Sequence, residues 1–160
     1  EKDAYRVVDV QDLGFLDDAS FDLAVSYLNQ CDLPDFAANT REVYRVLKPA
    51  GRFVIANLHP MRSAIGGWHR DADGKKLHVP VDHYFDESGR TWKMPSMSNG
   101  KLTNFHRSLQ TYTDAYLAAG FTLRRIVEPS VTPENLERYP ELDDELRVPN
   151  FIVFVLHKGT

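Results

Sequence analysis

Residues 41–60, REVYRVLKPAGRFVIANLHP, join the end of a helix to a buried strand, and this join decides the fold class. Over residues 35–47 the apolar side chains recur at helical spacing, which predicts an amphipathic helix. The charged Glu42 and Arg45 are predicted to face away from the core. The apolar face comprises Phe36, Thr40, Val43, Tyr44 and Leu47.

The end of this helix and the strand that follows are marked by local signals. Pro49 cannot continue a helix, and Gly51 can adopt the left-handed conformation that often closes one. RFVIANL, residues 52–58, is then an apolar run typical of a buried strand. It stops at His59-Pro60, where we expect the chain to leave the sheet.

Further strands and helices alternate along the chain. FDLAVSYL, residues 21–28, is nearly continuous in apolar character, as in a parallel strand covered on both faces. YRVVDV, residues 5–10, is predicted to be a shorter buried strand. Helix 109–120, closed by Gly120, and strands TLRRIVEP and NFIVFVLH form a second unit. This alternation predicts a three-layer α/β fold, in which helices flank a central sheet.

The texture changes between Met61 and Arg107, where aromatic residues are mixed with turn sequences. DADGK and DESGR are turn signals, so we predict an antiparallel excursion of hairpins that follows the strand ending at His59-Pro60. We expect the whole chain, residues 1–160, to be a single domain with residues 61–107 as an insertion.

Composition restricts the function. The 160 residues are 42% hydrophobic and 26% charged, with a net charge of −4 and no basic patch, which argues against nucleic-acid binding. The single cysteine, Cys31, favours a reducing, cytoplasmic compartment. No apolar stretch is long enough for a membrane span, so we expect no membrane partner. The six histidines are scattered, and we expect no metal site.

The sequence resembles a known family in its most regular segments. VVDVQDLGFLDDASFDLAVSYL, VYRVLKPAGRFVIANLHP and HRSLQTYTDAYLAAGFTLRRIVEPSV are similar to the class I S-adenosylmethionine-dependent methyltransferases, with the small-molecule, ubiquinone-biosynthesis type as the best match. The resemblance implies a Rossmann-like sheet, S-adenosylmethionine as cofactor and a small-molecule methyl acceptor. It also implies that residues 61–107 form a substrate cap.

The resemblance assigns cofactor roles to a few positions. Asp9 would accept a hydrogen bond from the adenine amino group, and the Val10 N–H would meet a ring nitrogen. Phe15, with Leu13, would pack beside the adenine, and Ser26 and Tyr27 would lie near the methionine end. From the residues alone, Asp9 is equally consistent with capping a turn, and Tyr27 with a place in the core.

Candidate residues for the acceptor side have equally plain structural alternatives. His59 and His106 are candidate general bases, because imidazole titrates near neutrality, although either is also consistent with a structural role. Tyr27, His59, Trp68 and Tyr84 are candidate substrate contacts. Aromatic residues of the excursion, Trp68, Tyr84, Phe85 and Trp92, would form an apolar lid or only the small core that hairpins need.

The sequence departs from the family in one respect. It contains neither the Gly-rich loop after a first strand nor the acid that holds the ribose, so it resembles a methyltransferase that begins at its third strand. We expect it to start inside a longer protein. In the family order 3-2-1-4-5-7-6, residues 5–10 would be separated from residues 21–28 by two strands. We therefore expect residues 5–10 to be displaced, or the gap to be filled by a preceding segment or a second copy in a homo-oligomer.

Three functions follow from these observations. Methyl transfer from S-adenosylmethionine to oxygen, nitrogen or carbon of a small molecule is the one we adopt. A nicotinamide-dependent oxidoreductase would share the α/β alternation, but VYRVLKPAGRFVI fits the methyltransferase pattern better. A non-catalytic, degenerate interaction module is the third, because the Gly-rich segment is missing from these residues.

Overall fold

The computed structural model describes residues 5–93 and 100–160, which form one mixed α/β unit. The strands are β1 (Phe21–Tyr27), β2 (Leu47–Leu58), β3 (His69–Arg70), β4 (Lys76–His78), β5 (Gly89–Lys93), β6 (Lys101–Phe105), β7 (Phe121–Val127) and β8 (Phe151–Lys158). The helices are α1 (Phe36–Val46), α2 (Pro60–Ser63), α3 (Leu109–Ala118) and α4 (Pro133–Arg138). Two 3₁₀ segments span Gln30–Asp32 and Pro140–Leu146.

The central sheet has four strands in the order β1-β2-β8-β7. β1 and β2 are parallel, whereas β8 runs antiparallel to both β2 and β7. This arrangement is the 4-5-7-6 order that the sequence predicts for residues 21 onward. Since β1 and β2 are parallel neighbours, their carboxyl ends meet at one edge of the sheet, where ligands bind in open α/β folds.

The core lies between one face of this sheet and the helices α1 and α3. Phe53, Ile55 and Phe154 of the sheet and Tyr116 of α3 are fully buried there. The alternate residues of β1 point to the other face, where Val25 and Tyr27 are 68% and 72% exposed. An alternating strand thus has one covered face and one open face, and the prediction that residues 21–28 are buried on both faces is wrong.

Residues 5–10 do not form the predicted strand. They have no strand conformation, and the side chains of Tyr5 and Val7 are almost fully exposed. A strand is stable only when its backbone groups find a neighbouring strand, and none of the described strands pairs with this segment. Displacement of residues 5–10 from the sheet is one of the two outcomes that the sequence analysis allowed.

The two glycines that were expected to end helices behave differently. Gly120 has φ +100°, as predicted, and a Cβ there would lie 2.9 Å from the Tyr44 ring. Gly51 has no positive φ, so that prediction is wrong: α1 already ends before Leu47, which is extended, and both Gly51 and Ala50, at φ 61°, lie within β2. Gly51 is needed for space, because a Cβ would lie 2.7 Å from the Lys48 carbonyl oxygen.

The excursion after β2 contains the predicted antiparallel hairpins, β3-β4 and β5-β6. DADGK forms the β3-β4 turn, whereas DESGR leads into β5 and does not join two strands of a hairpin. Gly74 makes the first turn at φ +82°. α4 begins at Thr132, whose hydroxyl caps the Asn135 N–H, as its Thr-Pro sequence indicates. Among the described residues, no helix has both the length and the apolar character that a bilayer span requires.

Candidate functional site

A cavity of about 410 Å³ lies along the free edge of β1. Ser26 and Tyr27 from the end of β1, Asn39 from α1, and Val10 and Leu13 from the N-terminal segment line its walls. The sequence-predicted cofactor residues Val10, Ser26 and Tyr27 are thus brought together here. Most of the lining is apolar, so this groove would accept a ligand with an extended non-polar surface.

Two buried polar side chains at this edge of the sheet are unpaired. The Ser26 hydroxyl, and both amide atoms of Asn57 near the end of β2, have no hydrogen-bond partner among the described residues. Ser26 is 9% exposed and Asn57 is fully buried. Buried polar groups are nearly always satisfied, so unpaired ones at a carboxyl edge mark a place where water or a ligand belongs.

Asp9 and Phe15, also predicted to contact the cofactor, are exposed and are not among the residues that line this cavity. An Asp9 carboxylate oxygen accepts hydrogen bonds from the Gln11 backbone N–H at 2.9 Å and from the Gln11 side chain at 3.1 Å. The backbone hydrogen bond lowers the pKa of Asp9, which keeps the carboxylate ionised at neutral pH. Phe15 is half exposed, and the Arg6 guanidinium lies 5.2 Å from its ring centroid. The turn-capping alternative for Asp9 therefore coexists with an exposed carboxylate.

Glu42 and Arg45 lie outside the hydrophobic core, as the helical pattern predicts, but the N-terminal segment covers them. Glu42 accepts a hydrogen bond from the Leu13 N–H at 2.9 Å, and Arg45 donates to the carbonyl oxygens of Leu13 and Leu16, each at 2.9 Å. The N-terminal segment is folded over this side of α1, so the charged side chains lie against a backbone rather than in water.

His59 is buried, and both of its ring nitrogens are engaged. Nδ1 accepts from the Met61 N–H at 3.0 Å and thereby caps α2, while Nε2 lies 2.9 Å from a Glu128 carboxylate oxygen. Burial lowers the pKa of His59 despite Glu128, so the ring is neutral at pH 7, with its proton on Nε2. The geometry gives His59 a capping role and leaves no free nitrogen for a substrate proton.

His106 is also buried with both ring nitrogens occupied. Nδ1 lies 2.6 Å from the Ser63 hydroxyl, and Nε2 lies 2.7 Å from the Tyr84 carbonyl oxygen, to which it donates. The Tyr84 hydroxyl accepts from the Leu109 N–H at 3.2 Å. His106 therefore ties α2 to the segment before β5.

A second cavity, of about 630 Å³, lies beyond the carboxyl end of β2. Its lining includes Leu58 at the end of β2, Ser63 from α2, Gly67 and Trp68 from the excursion, and Asn104 from β6. Trp68 donates its indole N–H to Asp144. The Arg147 guanidinium carbon lies over the Trp68 ring, 4.6 Å from the ring centroid. Trp68 is the one predicted substrate residue among these lining residues; Phe85 is 86% exposed, and the Trp92 side chain lies outside the described part.

Sequence reasoning missed several residues that organise this edge of the sheet. Asn39 donates to the Val10 carbonyl oxygen at 2.8 Å. Arg107, 7% exposed, donates to the carbonyl oxygens of Gln30, Leu33 and Pro34 in the loop after β1. A polar Asn39 within the apolar face of a helix was the available signal, whereas nothing near Arg107 in the sequence indicates its partners.

The 4-5-7-6 sheet with cavities at its carboxyl edge places the protein among Rossmann-like α/β folds, and comparison with known proteins identifies the family. Residues 1–55 match the family model described as a methyltransferase domain. A provisionally assigned S-adenosylmethionine-dependent methyltransferase from Listeria monocytogenes is 31% identical, with a TM-score of 0.85 over 98% of this chain and 69% of that chain. The enzyme from Mesorhizobium loti is also 31% identical, with a TM-score of 0.77 over 94% and 68%.

The chain belongs to the S-adenosylmethionine-dependent methyltransferases, and S-adenosylmethionine is its cofactor. Likeness of fold extends to the [4+2]-cyclase SpnF, which is 16% identical with a TM-score of 0.55 over 97% of this chain and 55% of that chain. Comparison with curated proteins found no match. Because a shared fold alone carries different chemistries, the acceptor has to be argued from the site.

The residues of this chain fit one side of the cofactor. An ionised Asp9 beside Val10 suits the adenine amine, and the unpaired Ser26 hydroxyl lies in the cavity wall where a polar group is wanted. The adjacent glycines Gly66 and Gly67 lie between α2 and β3, not between a strand and a helix, so they do not form a phosphate- or methionine-cradling turn. The assignment of these residues to the adenine side of the site stays a prediction.

Proposed function

We propose that this protein transfers a methyl group from S-adenosylmethionine to oxygen, nitrogen or carbon of a small molecule. The observation that carries this proposal is the cavity of about 630 Å³ beyond the end of β2. Pockets for small molecules fall within about 300 to 1,000 Å³, and they combine apolar walls with a few polar groups, as Arg62, Ser63 and Asn104 provide here. An extended polymer would need an open groove instead.

In this proposal, residues 61–107 form the cap over the acceptor. Trp68 lies in the cavity wall, Tyr27 borders the cofactor side, and His59 and Tyr84 hold the backbone around the pocket. The cofactor sulfonium supplies the electrophilic methyl group. The protein aligns the acceptor with that group and excludes water from the reacting atoms.

Filling the second cavity tests the acceptor assignment. Gly67→Leu should fit without strain, because a Cβ at Gly67 meets no atom within 4 Å. In the chain joined to the part of the Listeria relative that it does not cover, we expect methyl transfer to low-mass acceptors from a cell extract to fall at least about tenfold, with no change in affinity for S-adenosylhomocysteine. Gly159→Leu, also open but remote, is the matched control. Transfer of labelled methyl to protein or nucleic acid instead would reject the proposal.

The two histidines are tested by separating turnover from binding. In the same joined protein, if either one is a general base, replacing it with alanine should lower kcat by about 10²-fold or more with little change in cofactor affinity. The hydrogen bonds favour the other result, in which His59→Ala lowers thermal stability through loss of the α2 cap, and kcat per folded molecule is unchanged. His83→Ala, at an exposed position of the proposed substrate cap, residues 61–107, is the control.

A further inference from the structure

We propose that Asn39, Glu42 and Arg45 are positioning residues that hold the adenine-binding segment in its working conformation. The segment consists of residues 10–16, which follow Asp9 and have no helix or strand of their own. The proposal rests on the assignment of Asp9 and Val10 to adenine, and it adds the residues through which α1 controls that contact.

The three side chains bind the segment's backbone in sequence order. Asn39 donates to the Val10 carbonyl oxygen, Glu42 accepts from the Leu13 N–H, and Arg45 donates to the Leu13 carbonyl oxygen, at 2.8, 2.9 and 2.9 Å. Successive members are three residues apart on α1, so they lie close to one face of the helix and rise about 4.5 Å per step. The segment therefore runs alongside α1, and side chains of α1 hold its backbone at successive positions.

The segment has few backbone hydrogen bonds of its own. Among the described residues, the Leu16 N–H donates to the Leu13 carbonyl within it, and the Asp12 N–H donates to the Asp9 carbonyl just before it. Gln11 also accepts from the Asp35 N–H at the start of α1, and Leu13 packs against the core. A loop with so few internal bonds adopts the conformation that its tertiary contacts select. Here those contacts come from side chains of α1.

The Asn39 amide is itself oriented by a buried network. Gln30 donates to the Asn39 side-chain oxygen at 3.1 Å, and the Tyr116 hydroxyl donates to the Gln30 side-chain oxygen at 2.9 Å. Asn39, Gln30 and Tyr116 are 5%, 0% and 0% exposed. Because the Asn39 oxygen is already taken by Gln30, its NH₂ group must face Val10.

The two charged members stabilise each other. Arg45 donates to both Glu42 carboxylate oxygens, at 3.2 and 2.9 Å, and it also contacts Asp18. The Arg45 side chain lowers the pKa of Glu42, and Glu42 in turn raises the pKa of Arg45. Both therefore remain ionised at neutral pH and present charge-assisted bonds to the backbone, which are stronger than neutral ones.

Amide hydrogen exchange on the 160-residue chain tests the positioning directly. In Arg45→Ala we expect the Leu13 and Leu16 amides to exchange at least about tenfold faster, with no change at Phe154 in the core strand. Arg41→Ala, exposed on the same helix, is the matched control. Unchanged protection of both amides would overturn the proposal. Should Arg45→Ala fail to fold, Glu42→Leu removes the acceptor for the Leu13 N–H and must accelerate that amide.

A ligand measurement separates positioning from general stability. In the chain joined to the part of the Listeria relative that it does not cover, the affinity ratio of S-adenosylhomocysteine to its 6-oxo, inosine-containing analogue reports on the Asp9 contact. We expect Arg45→Ala to reduce this ratio at least about fivefold and Glu42→Gln, which keeps an acceptor, to preserve most of it. A ratio that Asp9→Ala leaves unchanged would reject the adenine assignment alone, while the exchange result would still decide the positioning.

Discussion

Replacing Arg107 with alanine is expected to lower the free energy of unfolding by about 3 to 5 kcal/mol. The guanidinium is buried, donates to three backbone carbonyl oxygens in the loop after β1, and stacks on Phe36 with 4.5 Å between guanidinium carbon and ring centroid. Its removal loses three hydrogen bonds from a charged donor, each contributing about 1.5 to 3 kcal/mol at most, and opens a cavity beside an aromatic ring. Few surface substitutions approach that size.

Chemical denaturation monitored by circular dichroism measures this loss. Arg107→Lys should recover only part of the lost stability, because one ammonium group cannot reach all three loop carbonyl groups that the forked guanidinium reaches. Arg124→Ala, exposed on β7, is the control and should change stability by less than about 0.5 kcal/mol. A loss below about 1 kcal/mol in Arg107→Ala would mean that water replaces the guanidinium and that the loop does not depend on it.

The second large effect concerns cofactor binding. The 160 residues are expected to bind S-adenosylmethionine weakly or not at all, because the resemblance assigns to them only the adenine side of the site and they contain neither the Gly-rich loop nor the ribose acid. Joining them to the uncovered part of the Listeria relative should improve affinity by at least about 10²-fold, through several hydrogen bonds gained together. Isothermal titration calorimetry on both proteins decides, and micromolar binding by the 160 residues alone would contradict the prediction.

Asp9 should account for part of the restored affinity. In the joined protein, Asp9→Ala is expected to cost about 1 to 3 kcal/mol of cofactor binding, since it leaves the adenine amine without a charged acceptor. Asp17→Ala, which is also exposed in the stretch before β1, should have little effect on cofactor binding. Equal losses in the two variants would remove Asp9 from the site.

The sequence predicted the elements whose stability comes from their own residues. Helical spacing predicted α1 over residues 35–47, and the observed helix, Phe36–Val46, agrees to within one residue at each end. The apolar runs predicted the presence of β2, β7 and β8. These predictions succeeded because hydrophobic periodicity reports which side chains can share a core. The 4-5-7-6 order came from family resemblance, and the pairing of β2 with both β1 and β8 agrees with it.

Predictions failed where a partner elsewhere in the chain determines the outcome. Residues 5–10 carry a strand-like pattern, but pattern alone cannot supply a neighbouring strand. Glu42 and Arg45 carry a surface-like pattern, but the segment that covers them arrives from 29 or more positions earlier. A helical wheel shows only which side chains share a face, not what later packs against it.

The sequence by itself determined an α/β sheet, its helix and strand types, and the carboxyl edge at which a ligand would bind. Only the tertiary structure decided which polar groups there are free. It occupied both nitrogens of His59 and His106, gave Ser26 and Asn57 no hydrogen-bond partner among residues 5–93 and 100–160, and placed Arg107 under the loop after β1. A hydrogen bond requires that donor and acceptor, often far apart in the chain, be placed to within a few tenths of an ångström. Periodicity, by contrast, is a local property that one segment carries alone.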